Sequence, residues 1–229
     1  TLVTVSFAAK TMGLILIKFA ALDAFQICIE MEGGKPGWND ALNGMPGLFG
    51  SSLCDTIELL RLVRFAKKAF AASKADGFAI LEEPYRLLAA IESSLGGLAS
   101  GQLSRFAFWD AINDAKEQLR AATKFSCSGR FVAVGLKLAV RLLTAMEKVL
   151  VDGIKRGQEL GGGLLPTYLV NEPTGYEKLG RRNHLGFETI RVTGFRQKAL
   201  PAFLEAPARF LKLGPGPAAL AEYRAVKAS

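Results

Sequence analysis

Three adjacent side chains, Trp38, Asn39 and Asp40, have types and spacing that suit the cleavage of a sugar linkage. An indole can cover the apolar face of a sugar ring, and an amide can bind the ring hydroxyls. A carboxyl group beside an indole can have its pKa raised by the loss of water, as a general acid working near neutral pH requires. Because a glycosidic bond breaks with a proton on the leaving oxygen, Asp40 is the candidate general acid.

The stretch that carries these residues, 30–52, is rich in glycine and proline, which favour turns over helix or strand. We therefore predict a long loop, and a loop that bears an aromatic side chain and several carboxylates is a common place for binding. Its other candidate binding groups are Glu30, Glu32, Lys35 and Asn43. A second interpretation stays open, in which Asp40 only caps backbone amides of a turn.

The loop sequence resembles the catalytic loop of the inverting glycoside phosphorylases that include cellobiose phosphorylase. The resemblance is carried by Gly-Lys-Pro-Gly-Trp-Asn-Asp-Ala-Leu-Asn-Gly at 34–44 and by the Pro-Gly-Leu-Phe-Gly-Ser-Ser that follows. It is sharp over residues 29–59 and more diffuse over 108–117 and 200–207. Pro36-Gly37 and Ala41 stand where the commoner family form has Gly-Asp and Gly.

The resemblance implies a mainly α fold, part of an (α/α) helical toroid, with a few short strands near the C-terminal end. It also implies that Asp40 is the general acid in the phosphorolysis of a β-glucoside, which yields a sugar 1-phosphate with inversion. Inorganic phosphate is then the co-substrate, an oligosaccharide or disaccharide is the substrate, and no metal or other cofactor takes part. The residues expected to bind substrate are Trp38, Asn39, Lys35, Glu30, Glu32 and Asn43.

Hydrophobic periodicity and turn residues divide the chain into elements that would position the loop. Helices are expected at 2–22, 53–72, 80–95, 103–123 and 130–156, extended segments at 166–170 and 187–193, and a helical tail at 218–229. We expect one partial toroid domain over 1–213, followed by a Gly/Pro linker and tail over 214–229. Since a closed toroid needs about twelve helices, we expect a fragment whose missing part comes from a larger chain or from a second copy.

Charge and cysteine content narrow the classes of function. The formal net charge is +8, which suits an anionic ligand, but the basic residues are too scattered for a dedicated nucleic-acid surface. By charge alone, Lys35, Arg181, Arg182 and His184 are candidate phosphate ligands, although a surface or packing role also fits His184.

The cysteines and the apolar N-terminal segment bear on the compartment. Cys28, Cys54 and Cys127 form no CxxC pair, which argues against a structural zinc site and favours a reducing, cytoplasmic setting. Lys10 and Lys18 interrupt the apolar residues 1–22, so we expect no membrane span.

Two alternatives remain open from the residues. An inverting hydrolase would use water, with Glu30 or Glu32 as the base carboxylate across the sugar from Asp40. A non-catalytic helical module would bind glycan through Trp38 or dock a partner through apolar surface.

Overall fold

The computed structural model describes residues 3–31, 47–214 and 216–228. Helices in these ranges are α1 (Phe7–Phe19), α2 (Leu53–Ala72), α3 (Glu82–Ala99), α4 (Arg105–Thr123), α5 (Leu136–Leu160), α6 (Glu205–Phe210) and α7 (Pro217–Ala228). Strands in these ranges are β1 (Ile29–Glu30), β2 (Gly50–Ser52), β3 (Gly77–Leu81), β4 (Phe131–Gly135), β5 (Tyr168–Arg182) and β6 (Glu188–Ala199).

The prediction of a mainly α fold, part of an (α/α) toroid, is wrong. The structure is 56% helix and 21% strand, and an antiparallel sheet in the order β1-β2-β5-β6 curls into a half-barrel within the described residues. The segments predicted as short and extended, 166–170 and 187–193, are parts of a long hairpin, β5–β6. The charged ends of this hairpin lack the apolar alternation that signals a strand, so the pattern marked only its most β-branched portions.

A second antiparallel pair, β3 with β4, was missed because each strand runs directly into a helix. Gly77–Leu81 pairs in full register with Phe131–Gly135, and α3 and α5 begin at the next residues. The helices predicted at 80–95 and 130–156 absorbed parts of these strands. Five apolar residues cannot be told from a helix turn by period alone, and the pairing partner lies about fifty residues away in the chain.

The core forms where α1 packs against α2, α3 and β3, while α2 packs on α5 and α3 on α4. At its centre the ring of Phe19 in α1 meets the ring of Phe108 in α4 edge to face, 6.4 Å apart. The large apolar residues of α1 are divided between a buried face and an exposed face. Ile15 and Phe19 are buried, but Leu14 and Ile17 lie on an exposed face.

The tail predicted at 218–229 is a helix, α7, which packs against α6. Glu222 of α7 accepts hydrogen bonds from the Leu165 amide and from Gln158, which attaches α7 to the end of α5 and to the connection between α5 and β5. Among the described helices, none is long and apolar enough to cross a membrane.

Candidate functional site

The residues on either side of the segment 32–46 are held next to each other by the sheet. Glu30 pairs with Ser51 in the β1–β2 ladder, and the Met31 amide donates to Gly50 O at 2.9 Å. On the other side, the side-chain Nδ2 of Asn171, in β5, donates to Leu48 O at 3.3 Å. The described residues that flank the segment are therefore fixed next to each other and to β5.

A buried carboxylate, that of Asp23, stabilises the pairing of β1 with β2. Its oxygens accept hydrogen bonds from three amides of the following turn, from Ser51 Oγ at 2.9 Å and from Gln197 Nε2 at 2.8 Å. Complete burial raises the pKa of Asp23, while the Ile27 amide, Ser51 and Gln197 oppose that rise. Since Ser51 lies in β2 and Gln197 in β6, Asp23 joins the α1–β1 turn to two strands of the sheet.

Glu30, at the end of β1, forms the second connection, to α4. Its Oε1 accepts a hydrogen bond from Trp109 Nε1 at 3.0 Å, and its Oε2 lies 3.5 Å from Lys116 Nζ. The side chains of Glu30 and Lys116 are only 11% and 5% exposed. Burial raises the pKa of Glu30, against the opposing pull of Lys116 and Trp109. The charge on Glu30 is therefore balanced by a cation that is itself nearly buried.

A cavity of about 410 Å³ opens above this pair, which we call the Lys116 cavity. Its volume falls in the roughly 300–1,000 Å³ range of small-molecule sites. The residues that line it are Ile17, Lys18, Ala21, Glu30, Met31, Leu48, Asn113, Lys116, Glu117 and Arg120. Three cations and two carboxylates give the lining a net charge of +1. Met31 and Leu48 belong to the two chain segments that lead into and out of 32–46.

Two of the cations that line the cavity are paired with carboxylates. Lys116 Nζ lies 3.8 Å from Glu117 Oε1, and Arg120 is paired with the same oxygen at 3.0 Å. The arrangement presents ammonium, guanidinium and amide donors to one space, which is the chemistry that binds a phosphate or a polyhydroxylated ligand.

Of the predicted site residues, the structure places only Glu30. Asp40, Trp38, Asn39, Lys35, Glu32 and Asn43 lie outside the described residues, so their assignments stay predictions. Glu30 lines the Lys116 cavity, as a substrate-binding residue would. Both of its oxygens are engaged, however, so it orients Lys116 and Trp109.

Of the phosphate ligands considered on charge alone, Lys35 lies outside the described residues, and the other three are not brought to this cavity. Arg181, Arg182 and His184 lie at the exposed end of the β5–β6 hairpin and are absent from the described lining. Ser52 precedes α2, but its side chain makes no capping bond, and the Leu53 amide donates to Thr167 O. That helix end is therefore used by the sheet.

Sequence reasoning missed Asp23, Lys116, Arg120 and Lys18 as site residues. One signal was available. Trp109, Asn113, Lys116 and Arg120 recur at helical spacing, so they share a face of α4. What the sequence lacked was the partner of that face, because Glu30 lies about eighty residues earlier.

In the described residues, no group of three or more His, Cys, Asp or Glu side chains is placed to hold a metal ion. The three thiols, Cys28, Cys54 and Cys127, are free. Burial raises the pKa of Cys54 to about 12 and that of Cys28 well above its usual range, so both stay protonated.

No protein-family model and no curated protein matches the chain.

Proposed function

We propose that this chain is a carbohydrate-active enzyme, or part of one, that splits a β-glucoside with inorganic phosphate and releases a sugar 1-phosphate with inversion. Asp40 is the general acid, and the Lys116 cavity holds the phosphate. The proposal does not depend on the toroid architecture. It rests on the residues of segment 30–52 and on the cavity beside the ends of that segment.

One observation carries the proposal. Two stretches of sequence that resemble the phosphorylases, 29–59 and 108–117, meet at the Glu30–Trp109 hydrogen bond and the Glu30–Lys116 ion pair. Asn113 and Glu117 of the second stretch line the same cavity. A third such stretch, 200–207, makes its contact elsewhere, where Thr167 Oγ1, just before β5, donates to Phe203 O. The cavity is thus built from the segment with the candidate acid and from a helix that supplies cations.

The proposed roles follow from charge and position. Lys116, Arg120 and Lys18 attract and orient the phosphate, which arrives already ionised and needs no second catalytic carboxylate as a base. Glu30 positions Lys116, because it is the closest carboxylate to that ammonium group. Trp38, Asn39, Lys35, Glu32 and Asn43 would bind the sugar, as the resemblance implies.

The bond changes balance without a further reactant. A phosphate oxygen attacks the anomeric carbon while the bond from that carbon to the bridging oxygen breaks. Asp40 gives its proton to the bridging oxygen, which leaves as a sugar hydroxyl. The product is a sugar 1-phosphate whose anomeric carbon has the inverted configuration.

The free thiols support placing the reaction in a reducing compartment, and we propose the cytoplasm. The test is to incubate the chain with a β-linked glucose disaccharide, with and without inorganic phosphate, and to separate the products. The proposal expects sugar 1-phosphate only with phosphate present, and none from Asp40→Asn. If Asp40→Asn were as active as the unchanged chain, Asp40 would not be the general acid.

Two other outcomes have defined meanings. If free glucose were released at the same rate without phosphate, the reaction would be hydrolysis and not phosphorolysis. Binding of oligosaccharide by calorimetry with no turnover would make the chain a glycan-binding module. Either result would overturn phosphorolysis.

A further inference from the structure

The β5–β6 hairpin reaches beyond the rest of the fold. Its last contacts with α4 in the described structure are the Phe195 ring against Trp109 and the ion pair of Arg191 with Asp110. Beyond them, every residue from Tyr176 to Glu188 is exposed. We call the residues from 176 to 190 the hairpin tip.

The hairpin tip displays large apolar side chains to solvent. Leu185 is 66% exposed and Phe187 is 68% exposed. Tyr176, Leu179 and Ile190 are also exposed on the same short arm. Exposed apolar residues are ordinary when single, but a cluster on a projecting arm marks a contact with another apolar phase.

The turn that presents Leu185 and Phe187 is ordered. Asn183 Oδ1 accepts hydrogen bonds from the amides of both residues, each at 3.0 Å. Thr189 Oγ1 donates to Arg181 O across the hairpin at 2.8 Å. The apolar side chains are therefore held outward by a defined backbone.

The turn at the end of the tip is also cationic, whereas the tip's two carboxylates, Glu177 and Glu188, lie on either side of that turn. From Lys178 to Phe187 there is no acidic residue, and this stretch contains Arg181, Arg182 and His184. Neither arginine forms an ion pair with a carboxylate of the described residues, whereas Lys178 is paired with Glu188 at 3.0 Å. Two guanidinium groups thus flank the apolar side chains without a neutralising partner in this part of the chain.

We propose that the hairpin tip attaches the protein to an anionic lipid membrane, with Leu185 and Phe187 inserted among the acyl chains and Arg181 and Arg182 on the headgroup phosphates. Apolar residues beside arginines are the composition that lies at a membrane interface, and anionic lipid attracts each nearby cation. The proposed attachment is peripheral, because only exposed side chains of the tip enter the bilayer.

Charge argues against a second copy of the chain, because pairing two turns would bring together four arginines that have no ion pair in the described residues. The leucine side chains decide against nucleic acid, since phosphates and bases offer no apolar medium in which to bury them. An anionic bilayer satisfies both features of the tip. This proposal is independent of the Lys116 cavity.

The test is co-sedimentation of the whole chain with vesicles of phosphatidylcholine alone or mixed with phosphatidylglycerol. We expect binding only to the anionic vesicles, weakened by salt. Arg181→Gln with Arg182→Gln should weaken it roughly thirtyfold, from about 1 kcal/mol per cation. Leu185→Ser with Phe187→Ser should weaken it by at least tenfold.

Phe125→Ser is the matched control, because Phe125 is 90% exposed and lies beside Lys124 but outside the tip. This variant should bind as the unchanged chain does. All the substituted residues are exposed, so circular dichroism should be unchanged. No binding to anionic vesicles, equal binding by the tip variants, or equal loss in Phe125→Ser would overturn the proposal. A dimer abolished by the tip substitutions would assign the tip to a second copy instead.

Discussion

The indole nitrogen of Trp109 donates to Glu30 Oε1 across 3.0 Å, and this bond joins α4 to the strand that leads into residues 32–46. The Trp109 ring is itself fixed by Phe195, 5.8 Å away and edge to face, and by Phe106 at 5.3 Å. The position of Glu30 therefore depends on an aromatic cluster shared by α4 and β6.

Trp109→Phe keeps a ring in that cluster but removes the donor to Glu30. We expect a loss of about 2 kcal/mol in the free energy of unfolding, because a nearly buried carboxylate oxygen is left unsatisfied. Urea unfolding with an unchanged slope would measure it. In a Glu30→Met background the same substitution should cost less, and an equal cost would show that the hydrogen bond is not the cause.

Lys116→Met leaves the Glu30 charge buried without its cation, and we expect a loss of about 3 kcal/mol in unfolding free energy. The double variant Glu30→Gln with Lys116→Met removes both charges, so it should be more stable than Lys116→Met alone. Thermal and urea unfolding of the three proteins give the comparison. A double variant less stable than Lys116→Met would contradict a buried ion pair.

Gly153 of α5 lies where a Cβ would overlap the carbonyl oxygen of Gln26. Gly153→Ala should therefore destabilise the fold by about 3 kcal/mol, because helix and turn must separate. Gly96 of α3 has open space at its Cβ position, so Gly96→Ala should stabilise by up to about 1 kcal/mol. The same sign for both substitutions in chemical unfolding would contradict the packing of α5 on the turn.

Glu147 of α5 is paired with Lys67 and with Arg64 of α2. The hydrogen bond from Lys67, with help from Arg64, holds the pKa of Glu147 below its ordinary value of 4.5. A depressed folded-state pKa contributes stability that is present above the ordinary pKa and is lost as the pH falls through the folded-state value.

Glu147→Gln should therefore be less stable than the unchanged chain at pH 6–7. The difference should shrink as the pH falls below about 4.5 and disappear in stronger acid. Urea unfolding at a series of pH values measures it. A difference that grows toward acid would reverse the sign and exclude the ion pair as its source.

Local signals predicted some elements well. The helical spacing of apolar residues predicted α2 at 53–72, and the structure has Leu53–Ala72, although the Ser52 side chain makes no capping bond. α4 was predicted at 103–123 and begins at Arg105, just after Ser104, whose side chain caps it. The limits of these helices are set by residues that are close in sequence, so they can be predicted from the sequence alone.

Distant pairings were not predictable in the same way. The strands β3 and β4 exist because Gly77–Leu81 finds Phe131–Gly135, and neither stretch alone differs from a helix start. Within the site, Glu30 was predicted as a substrate-binding group, but its Trp109 and Lys116 partners required the fold. Lys116 lies between the buried positions Ile112 and Leu119 of α4, which indicated a buried cation. The sequence did not indicate which carboxylate would pair with it.

The dependence of sugar 1-phosphate release on phosphate concentration tests the central claim that the Lys116 cavity binds the attacking phosphate. Arg120→Gln should raise the KM for phosphate about tenfold, from loss of one charged contact worth about 1.5 kcal/mol. Arg61→Gln removes a similar i,i+3 pair, with Glu58 on α2, and should leave that KM unchanged. An unchanged KM in Arg120→Gln, or no phosphate-dependent product from the unchanged chain, would contradict the account.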